Sequence, residues 1–322
     1  MKCKACGGKA AVNMPQHKLA LCKEHYLEWV PDQTARMIKK YWMFGPDERI
    51  LVAVSGGKDS LSLWDILIRL GYQADGLYIG LGIDEGIGYS VTSRRLCEEF
   101  AARNGRKLIV VDVAGTYGNS IPQLAASGSR GQARPCSVCG VVKRHEMNRI
   151  AFEHGYGVLA TGHNLDDEAA VLFGNTLSWN SELLLRQKPV LPEGNGLARK
   201  VKPLCRFYEK EMAAYAILRG IDYIYEECPF SVGSTSIYYK ELLNQLENQR
   251  PGAKLAFYVK YLAARADGLF AEQPQKVDGT LTVMNACAAC GQPTTNAGLC
   301  AFCKIVQRPG SVESMEMDEN AN

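Results

Sequence analysis

The most constraining feature of this sequence is a glycine-containing turn between an apolar strand and a helix. Residues 50–54 form an apolar run suited to a buried strand, and the turn Ser55-Gly56-Gly57-Lys58-Asp59-Ser60 ends it. Apolar side chains then recur at helical spacing, at Leu61, Trp64, Leu67 and Ile68. Glycines allow a ligand to approach the backbone closely, and N–H groups at a helix start attract anions. The segment therefore predicts a phosphate site without Walker spacing; the alternative is a plain strand-to-helix turn.

Strands and helices alternate through the centre of the chain. Further apolar strand candidates recur at residues 77–79, 108–111 and 158–161. Helical spacing of apolar residues predicts helices over residues 32–44, 92–103, 144–152, 238–249 and 255–266. This alternation is typical of a doubly wound α/β fold with a parallel sheet. Residues 114–135 lack periodicity and are expected to form a long loop leading to Cys136.

The composition is that of a soluble globular protein. A chain of 322 residues can hold one sizeable α/β core with small appended modules, and 47% of the residues are apolar and 22% charged. No run approaches the roughly 18 apolar residues that a membrane helix needs, and the start lacks the apolar segment of a signal peptide. We therefore expect a cytoplasmic protein with no membrane partner. The formal net charge of +3 permits a polyanionic partner without requiring one.

Twelve cysteines are many for a cytoplasmic chain, in which disulfides rarely persist and clustered thiols more often hold metal. Near the N-terminus, two spaced pairs supply Cys3, Cys6, Cys22 and His25. Near the C-terminus, two more pairs supply Cys287, Cys290, Cys300 and Cys303. Paired soft ligands suit tetrahedral zinc, and four protein ligands leave no open coordination position. The sequence therefore predicts one structural zinc at each end of the chain.

Three further cysteines, Cys136, Cys139 and Cys228, lie towards the middle of the chain. Three thiolates can ligate three irons of a 4Fe-4S cluster and leave the fourth iron open to a non-protein ligand. If the chain is helical from Cys139, Lys143 shares its face and could reach a phosphate. Spacing alone leaves three alternatives: a four-thiolate zinc site that includes Cys205, a redox or persulfide pair without a cluster, and purely structural thiols.

Three consecutive acidic residues follow the fourth predicted strand, in Thr161-Gly162-His163-Asn164-Leu165-Asp166-Asp167-Glu168-Ala169. Acidic groups in the first turn of a helix complement its dipole by about 0.3–1 kcal/mol each, which accounts for one or two of them. Ligands of doubly wound folds bind at the carboxyl edge of the sheet, where this segment falls. We predict that Asp167 is a catalytic carboxylate that either coordinates Mg²⁺ or pairs with Lys143. His163 is expected to be a satisfied loop residue rather than a general base.

Taken together, the motifs SGGKDS, PCSVCG, GHNLDDEA and EECP resemble the tRNA 2-thiolation branch of the PP-loop ATP pyrophosphatases, and within it the TtuA group. The resemblance extends from Cys3 to Cys303. It implies a PP-loop ATPase fold with small zinc-binding modules at both termini. It also implies a nucleotide site formed by Ala53, Val54, Ser55, Gly56, Gly57, Asp59, Ser60, Ile79, Lys143, Gly162 and Asp167.

The resemblance also implies a chemistry. The thiolates of Cys136, Cys139 and Cys228 would hold a 4Fe-4S cluster, and Lys143 and Asp167 would be catalytic together with Cys136 and Cys228. Such an enzyme adenylates a tRNA uridine, here expected in the T loop, with ATP and Mg²⁺, and then inserts sulfur at C2. The expected partners are tRNA, a thiocarboxylated ubiquitin-like sulfur carrier and a second copy of the chain.

Three other functions remain open at this point: a wobble-uridine thiolase, another PP-loop adenylating ligase such as a lysidine synthetase, and a zinc-ribbon RNA-binding protein with an inactive nucleotide fold.

These expectations divide the chain into parts. A zinc finger occupies residues 1–30, the PP-loop domain with a helical extension residues 31–270, and a zinc ribbon residues 284–306. Residues 271–283 are expected to be a linker, and the acidic end over residues 310–322 a disordered tail. Three basic groups could together form an RNA track, namely Arg36/Lys39/Lys40, Lys143/Arg144 and Arg199/Lys200/Lys202/Arg206.

Overall fold

The computed structural model describes residues 1–84, 88–127, 135–194, 196–231, 233–269 and 284–307. The predicted linker at 271–283 and the predicted tail at 310–322 lie outside these residues. None of the helices in the described ranges is long and apolar enough to span a bilayer.

The N-terminal module consists of two antiparallel strands, β1 (Val12–Met14) and β2 (Leu19–Leu21), that lead directly into helix α1 (Lys23–Lys40). The predicted helix over residues 32–44 is wrong in its bounds, because α1 begins within the module itself. Its buried face already starts at Tyr26 and Val30, and the chain turns away at Trp42, whose φ is 51°. The sequence analysis assigned residues 1–30 to a metal module because of their cysteines, and it therefore did not extend the helix back to Lys23.

The central sheet has the strand order β5-β4-β3-β6-β8-β7 and is parallel except at its edge, where β7 runs antiparallel to β8. Its strands are β3 (Ile50–Val54), β4 (Ala74–Gly80), β5 (Leu108–Asp112), β6 (Val158–Thr161), β7 (Val190–Leu191) and β8 (Arg199–Val201). All four strands predicted from the sequence are present. The doubly wound α/β fold is therefore confirmed.

Helices cover the sheet and extend it. They are α2 (Lys58–Arg69), α3 (Tyr89–Arg103), α4 (Val113–Tyr117), α5 (Ile121–Ala126), α6 (Pro135–Glu153), α7 (Leu165–Leu177), α8 (Ser181–Arg186), α9 (Glu209–Arg219), α10 (Thr235–Gln249) and α11 (Ala253–Ala266). The pair α10 and α11 forms the predicted helical extension, and both helices pack on α7.

The long loop predicted over residues 114–135 is wrong in its described part, because two short helices occupy it. The side chain of Asp112 caps α4, and Ser120 forms a capping box with Gln123 at the start of α5. Such caps satisfy the free N–H groups of short helices whose apolar periodicity is too brief to detect in a sequence. Helix α6 is also longer than the predicted 144–152, and it includes Cys136 and Cys139.

The chain leaves β3 towards β4 on one side of the sheet and later returns to β6 on the other. The carboxyl ends of β3, β4 and β6 therefore meet at a topological switch point, where doubly wound folds form their binding crevice. The N-terminal module shares the main core behind this crevice. Tyr26 donates a hydrogen bond to the Glu211 carbonyl (2.7 Å), and Gln16 donates to the Glu211 carboxylate (2.7 Å). Among the described residues, the module and the sheet share one apolar cluster, so the packing is continuous across the predicted domain boundary at residue 30.

The C-terminal module consists of β9 (Asn285–Ala286), β10 (Pro293–Thr294) and α12 (Ala301–Val306). It rests on α6: the ring of Phe302 stacks on His145 with centroids 3.6 Å apart, and Gln292 donates a hydrogen bond to the His145 carbonyl (3.3 Å). Phe302 also packs edge-on against Tyr117. The module thus holds the helix that carries two of the three central cysteines.

Candidate active site

A cavity of about 390 Å³ opens at the switch point of the sheet. This volume is within the range of small-molecule sites, roughly 300–1,000 Å³. Ten of the eleven residues predicted to bind nucleotide line it: Ala53, Val54, Ser55, Gly57, Asp59, Ser60, Ile79, Lys143, Gly162 and Asp167. Their role in nucleotide binding stays a prediction. Lining residues that the sequence did not indicate include Tyr89, Ser93 and Met147, because only the fold brings α3 and α6 to this edge.

The turn between β3 and α2 has the geometry of an anion cradle. Gly57 is the N-cap of α2 and has no side chain that could cap the helix. The first N–H groups of α2 therefore stay available to a ligand. Gly56, the eleventh predicted residue, does not line the cavity; its φ is 75°, and a Cβ there would stand 2.7 Å from the Ser93 carbonyl oxygen. A Cβ at Gly162 would stand 2.9 Å from the Ser60 nitrogen. Both glycines are therefore required by the packing around the turn.

An alternating network of charges lies beside the turn. Lys58 contacts Asp59 (3.1 Å) and Glu209 (2.8 Å), and Lys240 contacts Glu209 (3.2 Å) and Asp167 (2.6 Å). Although desolvation opposes it, the carboxylates of Asp167 and Glu209 raise the pKa of Lys240 well above its ordinary value. Lys240 is thus held as a cation between α7 and α9.

The network corrects one expectation about Asp167. One of its oxygens accepts the Asn164 backbone N–H (3.0 Å) in a capping box, and the other pairs with Lys240 rather than with Lys143. The reason is that α10, a distant part of the sequence, packs on α7 and supplies the cation. No motif surrounds Lys240, so sequence reasoning missed it. His163 and the Thr161 hydroxyl share a hydrogen bond (2.8 Å). This agrees with the expectation of a loop residue whose hydrogen-bonding capacity is satisfied.

Of the three central cysteines, Cys139 and Cys228 lie near residues that line the cavity, and Cys136 lies beside the segment that follows Cys228. Cys136 and Cys139 lie in the first turns of α6, and the Cys136 thiol donates a hydrogen bond to the Phe230 carbonyl (3.2 Å), two residues beyond Cys228. Burial raises the pKa of the Cys139 thiol, and the nearby ammonium of Lys143 opposes that rise. Tyr89 lines the cavity and also lies near Cys228 and Cys139, whose charges add to the effect of burial in raising its pKa.

The arrangement of these sulfurs differs from that of a closed tetrahedral site. Within the described part of the chain, Cys136, Cys139 and Cys228 do not form a set whose ligand atoms all lie within 4.8 Å of one another. Ligands to separate irons of a cluster need such wider spacing, because each thiolate binds a different metal atom. Cys205 lies elsewhere, buried with Leu165 and Tyr258. The four-thiolate zinc alternative that recruits Cys205 is therefore wrong.

Known proteins resemble this chain over nearly its whole length. A tRNA-5-methyluridine(54) 2-sulfurtransferase of Thermus thermophilus is 51% identical over 95% of this chain and 91% of its own. A protein with the same name from Thermotoga maritima is 42% identical over 95% and 96%. A family model described as the N-terminal LIM domain of 2-thiouridine synthetase TtuA matches residues 2–27.

The chain belongs to the TtuA family of tRNA 2-sulfurtransferases. A solved structure with the same fold is the U34-tRNA thiolase NcsA from Methanococcus maripaludis with its [4Fe-4S] cluster. It has a TM-score of 0.76 at 23% identity and covers 95% of each chain. The family assignment places this chain among sulfur-transferring enzymes rather than among the adenylating ligases.

In this TtuA-family chain, the predicted ligands at each terminus converge. Cys3, Cys6, Cys22 and His25 form one group whose ligand atoms lie within 4.8 Å of one another, and Cys287, Cys290, Cys300 and Cys303 form another. The Cys6 and Cys22 sulfurs are 3.9 Å apart, and the Cys290 and Cys300 sulfurs 3.8 Å. Tetrahedral thiolates about 2.3 Å from one zinc would lie about 3.8 Å apart. Both groups could therefore hold a metal ion.

One thiol in each group is polarised towards the thiolate, whereas others keep their protons more firmly. At Cys22 the His25 backbone N–H lowers the pKa, but burial and neighbouring groups outweigh it and raise the pKa to about 11; burial and the neighbouring thiols also raise the pKa of Cys303. Despite the opposing effect of desolvation, backbone N–H groups lower the pKa of Cys3 to about 6, and those around Cys287 have the same effect. The Cys300 backbone N–H, for example, donates to the Cys287 sulfur (3.2 Å). Because metal ligation requires thiolate, this polarisation favours metal binding at neutral pH.

Proposed function

We propose that this protein adenylates a uridine of tRNA with ATP and then replaces the C2 oxygen of that uridine with sulfur. The observation that carries the proposal is the junction between the cavity and the central cysteines. Helix α6 bears Cys139 and, one turn later, Lys143, and Lys143 lines the cavity next to the free start of α2. One helix, α6, thus carries both a cysteine of the proposed sulfur site and a lysine that faces the same cavity as the phosphate cradle at the start of α2.

The residues divide the chemistry between them. The first N–H groups of α2 would bind the phosphates of ATP, and Asp59 and Asp167 are carboxylates within reach of a Mg²⁺ ion that accompanies them. The uridine O2 would attack the α-phosphate, releasing pyrophosphate and leaving an adenylated base. Lys143 would balance the negative charge that develops on the phosphate. Sulfur delivered at Cys136, Cys139 and Cys228 would then add to C2, and AMP would leave with the original oxygen.

The cysteines fit the group that the family resemblance implies. Three thiols close to residues that line the cavity suit a 4Fe-4S cluster, because each thiolate can ligate a separate iron. When bound, such a cluster keeps one iron free to carry a sulfur ligand. We further propose structural zinc at the two terminal groups. A T-loop uridine as the target, a thiocarboxylated ubiquitin-like protein as sulfur donor, a homodimeric assembly and a cytoplasmic location stay predictions.

The test is mass spectrometry of nucleosides from tRNA incubated anaerobically with reconstituted enzyme, ATP and sulfide. We expect 2-thiouridine that maps to the T loop; sulfur at the wobble position instead would support the alternative thiolase. Cys228→Ala should abolish the product while ATP binding survives. Cys205→Ala is the matched control, because it removes a buried thiol that does not line the cavity, and it should retain activity. Full thiolation by Cys228→Ala would contradict the proposal.

A further inference from the structure

The basic residues that the sequence grouped together separate into paired and unpaired ones. Arg199 contacts Glu48 (3.2 Å) and Glu193 (3.4 Å), and Lys202 contacts Glu168 (2.7 Å). In contrast, neither Lys200 nor Arg144 makes an ion pair or a side-chain hydrogen bond with a carboxylate in the described part of the chain. These two side chains are candidates for binding an anion that the protein itself does not supply.

Strand register shows where Lys200 points. It lies opposite Leu159 of β6 in the parallel ladder, so both side chains project from the same face of the sheet. Leu159 packs there against Ile150 of α6, which means that Lys200 projects towards α6. Arg199, its neighbour, projects from the opposite face.

The cations converge beside the cavity. Burial lowers the pKa of Lys200 to about 8, and the positive charges of Lys202 and Arg144 contribute to this shift, so all three lie within electrostatic range of one another. Lys200 and Lys202 act in the same way on His163, which lines the cavity. Arg144 immediately follows Lys143, also a lining residue. The unpaired cations therefore adjoin the cavity on its α6 side.

A half-buried ammonium next to two other cations destabilises the folded protein unless an anion joins it. The phosphates of ATP have their own cradle at the start of α2, which follows β3. Lys200 is on β8, two strands away in the sheet, or about 10 Å. A second phosphate group, one that is not part of the nucleotide, fits this position.

We propose that Lys200 and Arg144 bind a backbone phosphate of the RNA substrate next to the uridine that enters the cavity. The inference rests on the proposed function, since it presumes that tRNA is the substrate. Phosphate contacts fix register and orientation, so this one would aim the target base at the cavity. Because RNA must present the base from a strand or loop, one fixed phosphate beside it restricts how the base can enter.

The test compares tRNA binding by the native protein, Lys200→Met, Arg144→Gln and the double variant. Loss of a charge-assisted hydrogen bond should weaken tRNA binding roughly tenfold for each single variant. Each substitution should also reduce the slope of log Kd against log salt by about one, because one cation fewer then neutralises a phosphate. ATP affinity should not change. Lys107→Met, an exposed lysine before β5 at the far edge of the sheet, is the control and should bind tRNA like the native protein.

Thermal melting at pH 7 separates binding from folding, because Lys200→Met removes a poorly solvated charge and should melt no lower than the native protein. Equal tRNA affinity in all variants would overturn this inference alone. Weaker ATP binding with unchanged tRNA binding would overturn it too, by assigning the cations to the nucleotide. A native protein that binds no tRNA would overturn both this inference and the proposed function.

Discussion

Single residues in this site make both local contacts and contacts with distant parts of the chain, and only the local contacts can be predicted from the sequence. Asp167 shows this most clearly. Its position three residues after Asn164 indicates a capped helix start, and the cap is present. Its ion pair with Lys240 depends on α10, which lies more than 60 residues further along the chain. Local chemistry could therefore be predicted, whereas the cation that balances it could not.

Gly56 offers a test of the phosphate cradle at the scale of one Cβ atom. Gly56→Ala places a methyl group 2.7 Å from the Ser93 carbonyl at a φ of 75°, so the turn must shift. We expect ATP affinity to fall at least tenfold, measured by calorimetry. Gly71→Ala is the matched control, because its φ is 84° but nothing lies within 4 Å of the added atom. That control should lose only about 1 kcal/mol of stability and retain ATP binding. Equal ATP affinity in both variants would show that the turn does not contact the nucleotide.

At the scale of elements, the sequence predicted the strands better than the helices. Strands β3 and β6 appear at the predicted residues because four or five consecutive apolar residues have few other uses in an α/β chain. Helix α6 begins well before residue 144, since its first turns carry the cysteines and glycine that looked irregular. Helices α4 and α5 depend on caps and tertiary contacts rather than on periodicity. The helices that the sequence analysis missed or shortened were thus those without a long apolar periodicity.

Helix α6 depends on a buried carboxylate for its attachment. Glu146 is fully buried, accepts hydrogen bonds from Tyr117 (2.6 Å) and Arg149 (2.6 Å), and bonds with His145 (2.9 Å). Burial alone would raise its pKa, but these partners lower it from the ordinary 4.5 to about 2. A lowered carboxylate pKa stabilises the fold above the unfolded value, and this contribution is lost as the pH falls from about 4.5 towards 2.

We therefore expect Glu146→Gln to lower the free energy of unfolding by about 3 kcal/mol at pH 7, with a smaller deficit at pH 3. Urea denaturation at the two pH values measures both quantities. Glu153→Gln is the matched control: it is an exposed partner of the same Arg149 and should cost less than about 1 kcal/mol. A deficit for Glu146→Gln that does not change with pH would contradict the assigned cause.

At the scale of the whole molecule, Cys3, one of the proposed N-terminal metal ligands, belongs to the main core. Cys3 is buried in the same apolar cluster as Met14, Tyr26 and the strands of the sheet. A short module of this kind has too little core to fold alone, and here it shares that of its neighbour. Its stability should therefore not be separable from that of the catalytic domain.

We predict that Cys3→Ser lowers the melting temperature of the entire chain by on the order of 10 °C in a single calorimetric transition. The substitution removes a proposed metal ligand and places a hydroxyl group in the core. Lys4→Ser, at an exposed neighbour, should leave the melting temperature unchanged. Two transitions in Cys3→Ser, with the main one at the native temperature, would instead indicate an autonomous finger.

One feature of α6 limits how this protein can change over generations. Cys139 and Lys143 are joined by a single helical turn, which sets their separation at about 6 Å along the axis and their angular offset at about 40°. Inserting one residue between them would swing the lysine by about 100° away from the sulfur's side of the helix. Loops elsewhere in the chain can lengthen or shorten, but the interval between these two side chains cannot. Lineages that retain the reaction should therefore show no insertion or deletion between these two residues.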